Sequence, residues 1–202
     1  MEITEAALGE ILRSCDAYAL LDEDEGERAA RFRSAEARDR FVSGRALLKT
    51  VLGVRLGRPA RAVRLRIEPS GRPVLVDPEA RVHFSVSHSG DRVVLAFADR
   101  EVGVDIERLR ALPDALDLAR RFFDASEATA LESEPVERRS DAFLALWTRK
   151  EALLKARGLG LADGLCTSVG ATAGFDVRRL GVASGYVAAV AARGSDWTVA
   201  RP

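Results

Sequence analysis

The stretch Val102-Gly103-Val104-Asp105-Ile106-Glu107 (VGVDIE, 102–107) alternates apolar residues with a glycine and two acids. A period of two is that of a β-strand. Val102, Val104 and Ile106 then face a core, while Asp105 and Glu107 share the other face with their α-carbons about 7 Å apart. Side-by-side carboxylates suit a divalent cation, because hard oxygen donors hold magnesium together with water and phosphate oxygens. The plainer reading of the same alternation is the acidic, water-facing side of an edge strand. Gly103 lies on that face too and is read as leaving it open beside the acids.

Working outward, Val82–Ser87 and Val93–Ala98 are strand-like, with turns at SHSGD and DRE, so these segments and VGVDIE read as an antiparallel meander. Val63–Ile67 alternates apolar and basic residues as a half-exposed strand, and PSGRP (69–73) is a turn. Asp39–Leu52 places Phe41, Leu48 and Leu52 near one helical face, with Gly53 as its stop. Residues 22–40, dense in charge, read as a solvated loop and helical approach. On the other side, Pro113 and Asp114 precede an amphipathic run to Phe123, and Asp124 with Glu127 forms a capping-box sequence. Val136–Ala156 reads as a long helix closed by basic residues and Gly158, followed by strands at 186–193 and 197–200.

Two internal echoes accompany this pattern. RALLK (45–49) is similar to EALLK (151–155), and SGDRVVLAFADR (89–100) to SGYVAAVAAR (184–193). They read either as chance or as two related lobes, each pairing a long helix with an antiparallel sheet.

Composition narrows the function. The 202 residues carry 31 Lys plus Arg against 31 Asp plus Glu, so no net field draws the chain to nucleic acid or an anionic membrane. Cys15 and Cys166 are far apart without metal-ligand neighbours, as in reduced thiols of a cytoplasmic protein. No stretch has the length of a membrane span, and the N-terminus lacks a leader pattern. Lysine is scarce: only Lys49, Lys150 and Lys155 occur.

Two of those lysines sit in WTRKEALLK (147–155), where Glu151 flanks the apolar stripe of Phe143, Trp147 and Leu154. Glu151 and Lys155 at i and i+4 suit either an ordinary helix pair or an acid–base couple, since an ammonium can give up its proton and a guanidinium cannot. In VSHSG (86–90), Ser87, His88 and Ser89 at a strand end entering a turn can offer backbone N–H groups, hydroxyls and an imidazole to a phosphate, or serve structure alone. Arg40, Arg45 and Arg72 are candidates for a phosphate grip by their guanidinium forks.

Taken in order, GRP (71–73), HFSVSHSG (83–90), VGVDIE (102–107), RRFFDASE (120–127) and WTRKEALLKARGLGL (147–161) resemble the Sfp-type 4'-phosphopantetheinyl transferases. The resemblance implies an α+β fold with pseudo-twofold duplication, each lobe an antiparallel sheet packed on a long helix, and coenzyme A in the cleft between lobes. An N-terminal lobe, 1–100, would grip coenzyme A, and a C-terminal lobe, 101–202, would carry the Mg2+ site and catalytic helix. By resemblance Asp105, Glu107 and Glu151 match the magnesium ligands. Glu151, or a metal-bound water, would take the proton from the carrier serine. Lys155 would contact the phosphates and protonate the departing 3',5'-ADP. Ser87 and His88 match the pair holding the nucleotide phosphates, Arg45 and Arg40 fall where coenzyme A is gripped, and Arg72 stands where many relatives have lysine. The implied partner is an apo acyl or peptidyl carrier protein, with no nucleic acid, no membrane and a monomeric enzyme. Two other readings compete: another magnesium-dependent phosphotransferase or nucleotide hydrolase, and a coenzyme A binder without catalysis. Neither a P-loop nor a G-x-G-x-x-G loop is present to favour the former.

Overall fold

The computed structural model describes residues 1–14, 16–69, 71–77, 82–159, 165–166, 168–169 and 174–201. Cys15, the Ser70 position of the PSGRP turn and the 160–161 end of the last motif lie outside these residues. The chain divides into two units, one of residues 1–4, 82–90 and 94–202, the other of residues 5–81 and 91–93.

The first unit holds strands β4 (His83–Ser89), β6 (Val102–Arg108), β7 (Phe175–Leu180) and β8 (Tyr186–Arg193), with helices α4 (Ala115–Phe122), α5 (Ala125–Glu132) and α6 (Val136–Arg157). Strands β1 (Glu2–Ala7) and β5 (Arg92–Ala98) contribute residues to both units. Alternation drives the strand pattern as expected: Val102, Val104 and Ile106 join Val94, Ala96, Val190 and Trp197 in one buried cluster. The meander, however, breaks. Strand β5 pairs with β4 and β1, whereas β6 belongs to a second sheet of order β6-β8-β7. There β8 runs antiparallel to both neighbours, with Asp105 opposite Ala189 and Phe175 opposite Arg193.

Helix α6 covers the other face of that second sheet, packing Ala152, Leu153 and Ala156 on Phe175, Ala189 and Ala191. Gly103 is therefore not open to solvent. A Cβ there would stand 2.0 Å from the Ala152 carbonyl oxygen and 2.3 Å from the Ala156 amide nitrogen, so the missing side chain is what lets helix and strand touch. Gly158, at φ 68°, ends α6 in the left-handed conformation that glycine tolerates. Asp124 and Glu127 form the expected capping box on α5. The tail differs from expectation: β7 was hidden in an arginine-rich segment, and 197–200 supplies only an isolated bridge from Ala200 to Glu2.

The second unit contains α1 (Leu8–Ser14), α2 (Glu23–Ala30), α3 (Ala35–Arg55) and the hairpin of β2 (Leu65–Ile67) with β3 (Pro73–Leu75). Residues 22–40 are mostly solvent-facing and helical in approach, as read, but α2 replaces the loop: Asp22 and Glu25 cap it as a box, and Glu25 is buried. Helix α3 also runs through Gly53, which is tolerated because the returning chain passes there, with Arg58 O 2.8 Å from where a Cβ would sit. The repeated pentapeptides fall on α3 and α6, and the other echo on β5 and β8.

Candidate active site

The two acids of β6 lie on the face away from its valines, and each meets a serine of strand β4; Asp105 also meets Lys155 of α6. Asp105 is 5% exposed. Its Oδ1 accepts from Ser87 Oγ at 2.7 Å and from Lys155 Nζ at 2.7 Å. Lys155 also donates to Val104 O at 3.2 Å and Ser87 Oγ at 3.1 Å. The i,i+4 partner anticipated for Lys155 was Glu151, but the ammonium hydrogen-bonds instead to Asp105, whose carboxylate is already oriented by the Ser87 hydroxyl. Burial pushes the Asp105 carboxyl up; Lys155 and Ser87 oppose this. The salt bridge and the upward direction pull opposite ways, and burial prevails because Lys155, with its side chain 30% exposed, offers only a partly hydrated charge.

Glu107 stands further out, half-buried, its Oε2 accepting from Ser89 Oγ at 2.9 Å and Arg110 Nη1 at 2.9 Å. Glu151, 9% exposed, reaches the same region from α6, and no hydrogen bond holds its carboxyl among the described residues. Burial raises its pKa to about 7; Lys155 lowers it, and the nearby charges of Asp105 and Glu107 raise it further. A partly desolvated carboxyl beside two other acids makes this cluster the candidate functional site.

The donor set suits a hard divalent cation. Asp105 Oδ2 is buried with no hydrogen-bond partner, an arrangement costly to a carboxylate unless a cation completes it. Among the described residues no group of three or more acidic, histidine or cysteine side chains forms a ready-made cage. Magnesium needs none, since it binds through one or two carboxylates plus waters and substrate oxygens.

The other anticipated residues are placed as follows. His88 is exposed at the end of β4. Arg40, Arg45 and Arg72 belong to the other unit. There Arg40 pairs with Glu36 at 2.6 Å. Arg45 is 7% exposed, with its Nε 3.2 Å from Glu25 Oε1 and its guanidinium over the Phe41 ring. Burial lowers the Arg45 pKa against the opposing pull of Glu25. Arg72 is half-buried, its carbonyl accepting from Glu68 N–H. Beside Arg45, Lys49 is fully buried, donating to Glu25 Oε2 at 2.5 Å and Leu20 O at 3.0 Å.

Ser89, read with Ser87 and His88 as an offer to a phosphate, holds Glu107. Sequence reasoning missed two positions. Arg110, which nothing in the sequence marked, also holds Glu107. Lys150 is the second. It is 2% exposed, 2.5 Å from Glu127 Oε2, donates to Leu165 O at 2.7 Å and lies over Phe123. Trp147 completes this packing, stacked on Phe143, which itself stacks on Phe123. The tryptophan and first lysine of the WTRKEALLK motif thus fix the helix that carries Glu151 and Lys155.

The site is a cluster of three carboxylates, two of them buried, with a lysine, set between a strand and a helix of an α+β unit. The comparisons with known proteins agree in sense. Residues 101–196 match the model of the 4'-phosphopantetheinyl transferase superfamily, and residues 13–100 match that of the 4'-phosphopantetheinyl transferase N-terminal region. The chain is 41% identical over 150 residues to the 4'-phosphopantetheinyl transferase HetI of Nostoc sp., covering 73% of this chain and 63% of HetI. It is 39% identical over 137 residues to psf-1 of Bacillus pumilus, covering 68% and 58%. To Sfp of Bacillus subtilis it is 31% identical over 145 residues, covering 71% and 63%. Both curated relatives and family models carry the same description, and the chain belongs to the Sfp-type 4'-phosphopantetheinyl transferases. The matches span about three fifths of the length of these relatives. The mixed helices and antiparallel sheets fit that family. Among the described residues no helix is long and apolar enough to cross a membrane.

Proposed function

We propose that the chain transfers 4'-phosphopantetheine from coenzyme A to a serine hydroxyl of an apo acyl or peptidyl carrier protein, releasing 3',5'-ADP. The observation that carries the reading is the convergence of Asp105, Glu151 and Lys155, with an unpartnered buried oxygen on Asp105, in a chain of this family. Asp105, Glu107 and Glu151 would hold Mg2+, which when bound neutralises charge on the diphosphate under attack. The serine oxygen forms a bond to the phosphorus bearing the pantetheine arm as the bond from that phosphorus to the 3',5'-ADP oxygen breaks. Glu151 is suited to take the serine proton, since a base poised near neutrality serves best at physiological pH. Lys155, bonded to Asp105, supplies the proton to the leaving phosphate. Ser87, His88, Arg40, Arg45 and Arg72 are proposed contacts to coenzyme A, with residues 1–100 devoted to that grip and residues 101–202 to the acid site and catalytic helix. The two-lobe duplication is part of the same proposal, supported by the paired echoes on α3 and α6 and on β5 and β8. A monomer acting in the cytoplasm, without nucleic acid, suits the balanced charge.

The test is incubation with coenzyme A, Mg2+ and apo carriers of both types, read by mass spectrometry. A mass gain of one phosphopantetheine group, lost in Glu151→Gln, is expected; carriers of every type left unmodified would overturn the assignment.

A further inference from the structure

Strand β4 and strand β6 lie in different sheets, yet they are joined by a ladder of serine hydroxyls. The amide N–H of Val104 donates to Ser85 Oγ at 3.0 Å, that of Ile106 to Ser87 Oγ at 3.3 Å, and that of Arg108 to Ser89 Oγ at 3.1 Å. The rungs repeat every second residue because serines 85, 87 and 89 share one face of β4. Each hydroxyl that accepts an amide proton must aim its own hydrogen elsewhere. On the two outer rungs it aims at the carboxylate just before that amide: Ser87 at Asp105 Oδ1, 2.7 Å, and Ser89 at Glu107 Oε2, 2.9 Å. The inner rung has no carboxylate to meet, because position 103 is the glycine against which α6 packs.

The consequence is a division within each acid. Asp105 Oδ1 takes Ser87 and Lys155, leaving Oδ2 buried and unpartnered. Glu107 Oε2 takes Ser89 and Arg110, and no donor stands on Oε1 among the described residues. One oxygen of each carboxylate is saturated by the protein and the other kept for a cation.

We propose that Ser89, with Ser87, is a positioning residue of the cation site: its hydroxyl, fixed by the Arg108 amide, pins one oxygen of Glu107 so that the other is presented to the metal. This rests on the cation reading given above. Outer-shell hydrogen bonds of this kind fix ligand orientation and basicity, and their loss weakens metal binding by about ten- to a hundredfold. The Ser87 hydroxyl also accepts from Lys155, which ties the lysine to the same rung as Asp105.

The experiment measures Mn2+ affinity of the intact chain by calorimetry and by water-proton relaxation, without any turnover. Ser89→Ala is expected to weaken Mn2+ binding at least about tenfold, and Ser89→Thr, which keeps the hydroxyl, to restore it. Ser85→Ala is the control: it removes a rung that faces no carboxylate, so it should lower the melting temperature and leave Mn2+ affinity unchanged. Equal Mn2+ affinity in wild type and Ser89→Ala would overturn the positioning role alone. A fall of the same size in Ser85→Ala would overturn it too, by showing that the ladder acts only through stability. Absence of Mn2+ binding in the wild type would instead overturn the cation reading on which it rests.

Discussion

Replacing Asp105 by asparagine separates the cost of the buried charge from its use. The carboxylate is 5% exposed, bonded on one oxygen by Ser87 and Lys155 and on the other by nothing. Asparagine keeps the shape and can still accept both hydrogen bonds. It loses the attraction to Lys155, whose side chain is 30% exposed and can rehydrate, and gains relief from burying a charge. The two effects oppose each other, so metal-free stability should change by only about 1 kcal/mol. The metal response should change far more. A cation at a hundred times its dissociation constant stabilises the wild type by about 2.7 kcal/mol, a rise of roughly 5–10 °C in melting temperature for a chain of this size. Thermal melts with and without Mg2+ read both quantities. Asp105→Asn should melt near the wild type without Mg2+ and show almost none of the shift with it. An asparagine variant that kept the full Mg2+ shift would refute the assignment of that unpartnered oxygen to a cation.

Three further outcomes follow from the same geometry. Glu151, with its pKa raised to about 7, keeps its proton in the folded protein where the unfolded chain has lost it. Metal-free stability should therefore fall as pH rises from about 4.5 through 7, by roughly 2 kcal/mol after allowing for partial solvation. Denaturant titrations across that range should show a flatter profile in Glu151→Gln, and a flatter one in wild type with Mg2+ present. Lys150→Ala strands Glu127 in a site where the lysine is 2% exposed, and chemical denaturation should report a loss of about 3 kcal/mol or more. Gly103→Ala forces a Cβ to within 2.0 Å of the Ala152 carbonyl, so α6 must move off β6. It should cost about 3 kcal/mol in the same assay and weaken Mg2+ binding, because Lys155 and Glu151 ride on the displaced helix.

Much of the first unit was legible because its signals are local. A period of two in VGVDIE and an apolar stripe with a glycine end in 136–158 each report a burial pattern that the fold keeps. The capping box at Asp124 is local as well. What stayed hidden depends on which strand lies beside which. Nothing in residues 82–107 says that β6 leaves the meander to pair with β8, since three strands separated by short turns look the same whether or not they share a sheet. The role of Gly103 followed that error: read as a gap beside the acids, it is the contact point of α6. The charged run at 22–40 is mostly solvent-facing as read, but the burial of Glu25 was hidden because its partners Lys49 and Arg45 come from the distant α3. The acids, Lys155 and Ser87 were legible as candidates; that Lys155 pairs with Asp105 and not with its helical neighbour Glu151 was not, because the pairing depends on β4 and β6 lying side by side under α6.

Crystals grown with Mn2+ and coenzyme A, with anomalous diffraction recorded at the manganese edge, test the central claim most directly. A single peak within ligand distance of Asp105 Oδ2 and of the Glu107 and Glu151 carboxyls is the predicted result. A manganese peak elsewhere, with Lys155 still on Asp105 and the three acids facing only water, would contradict it.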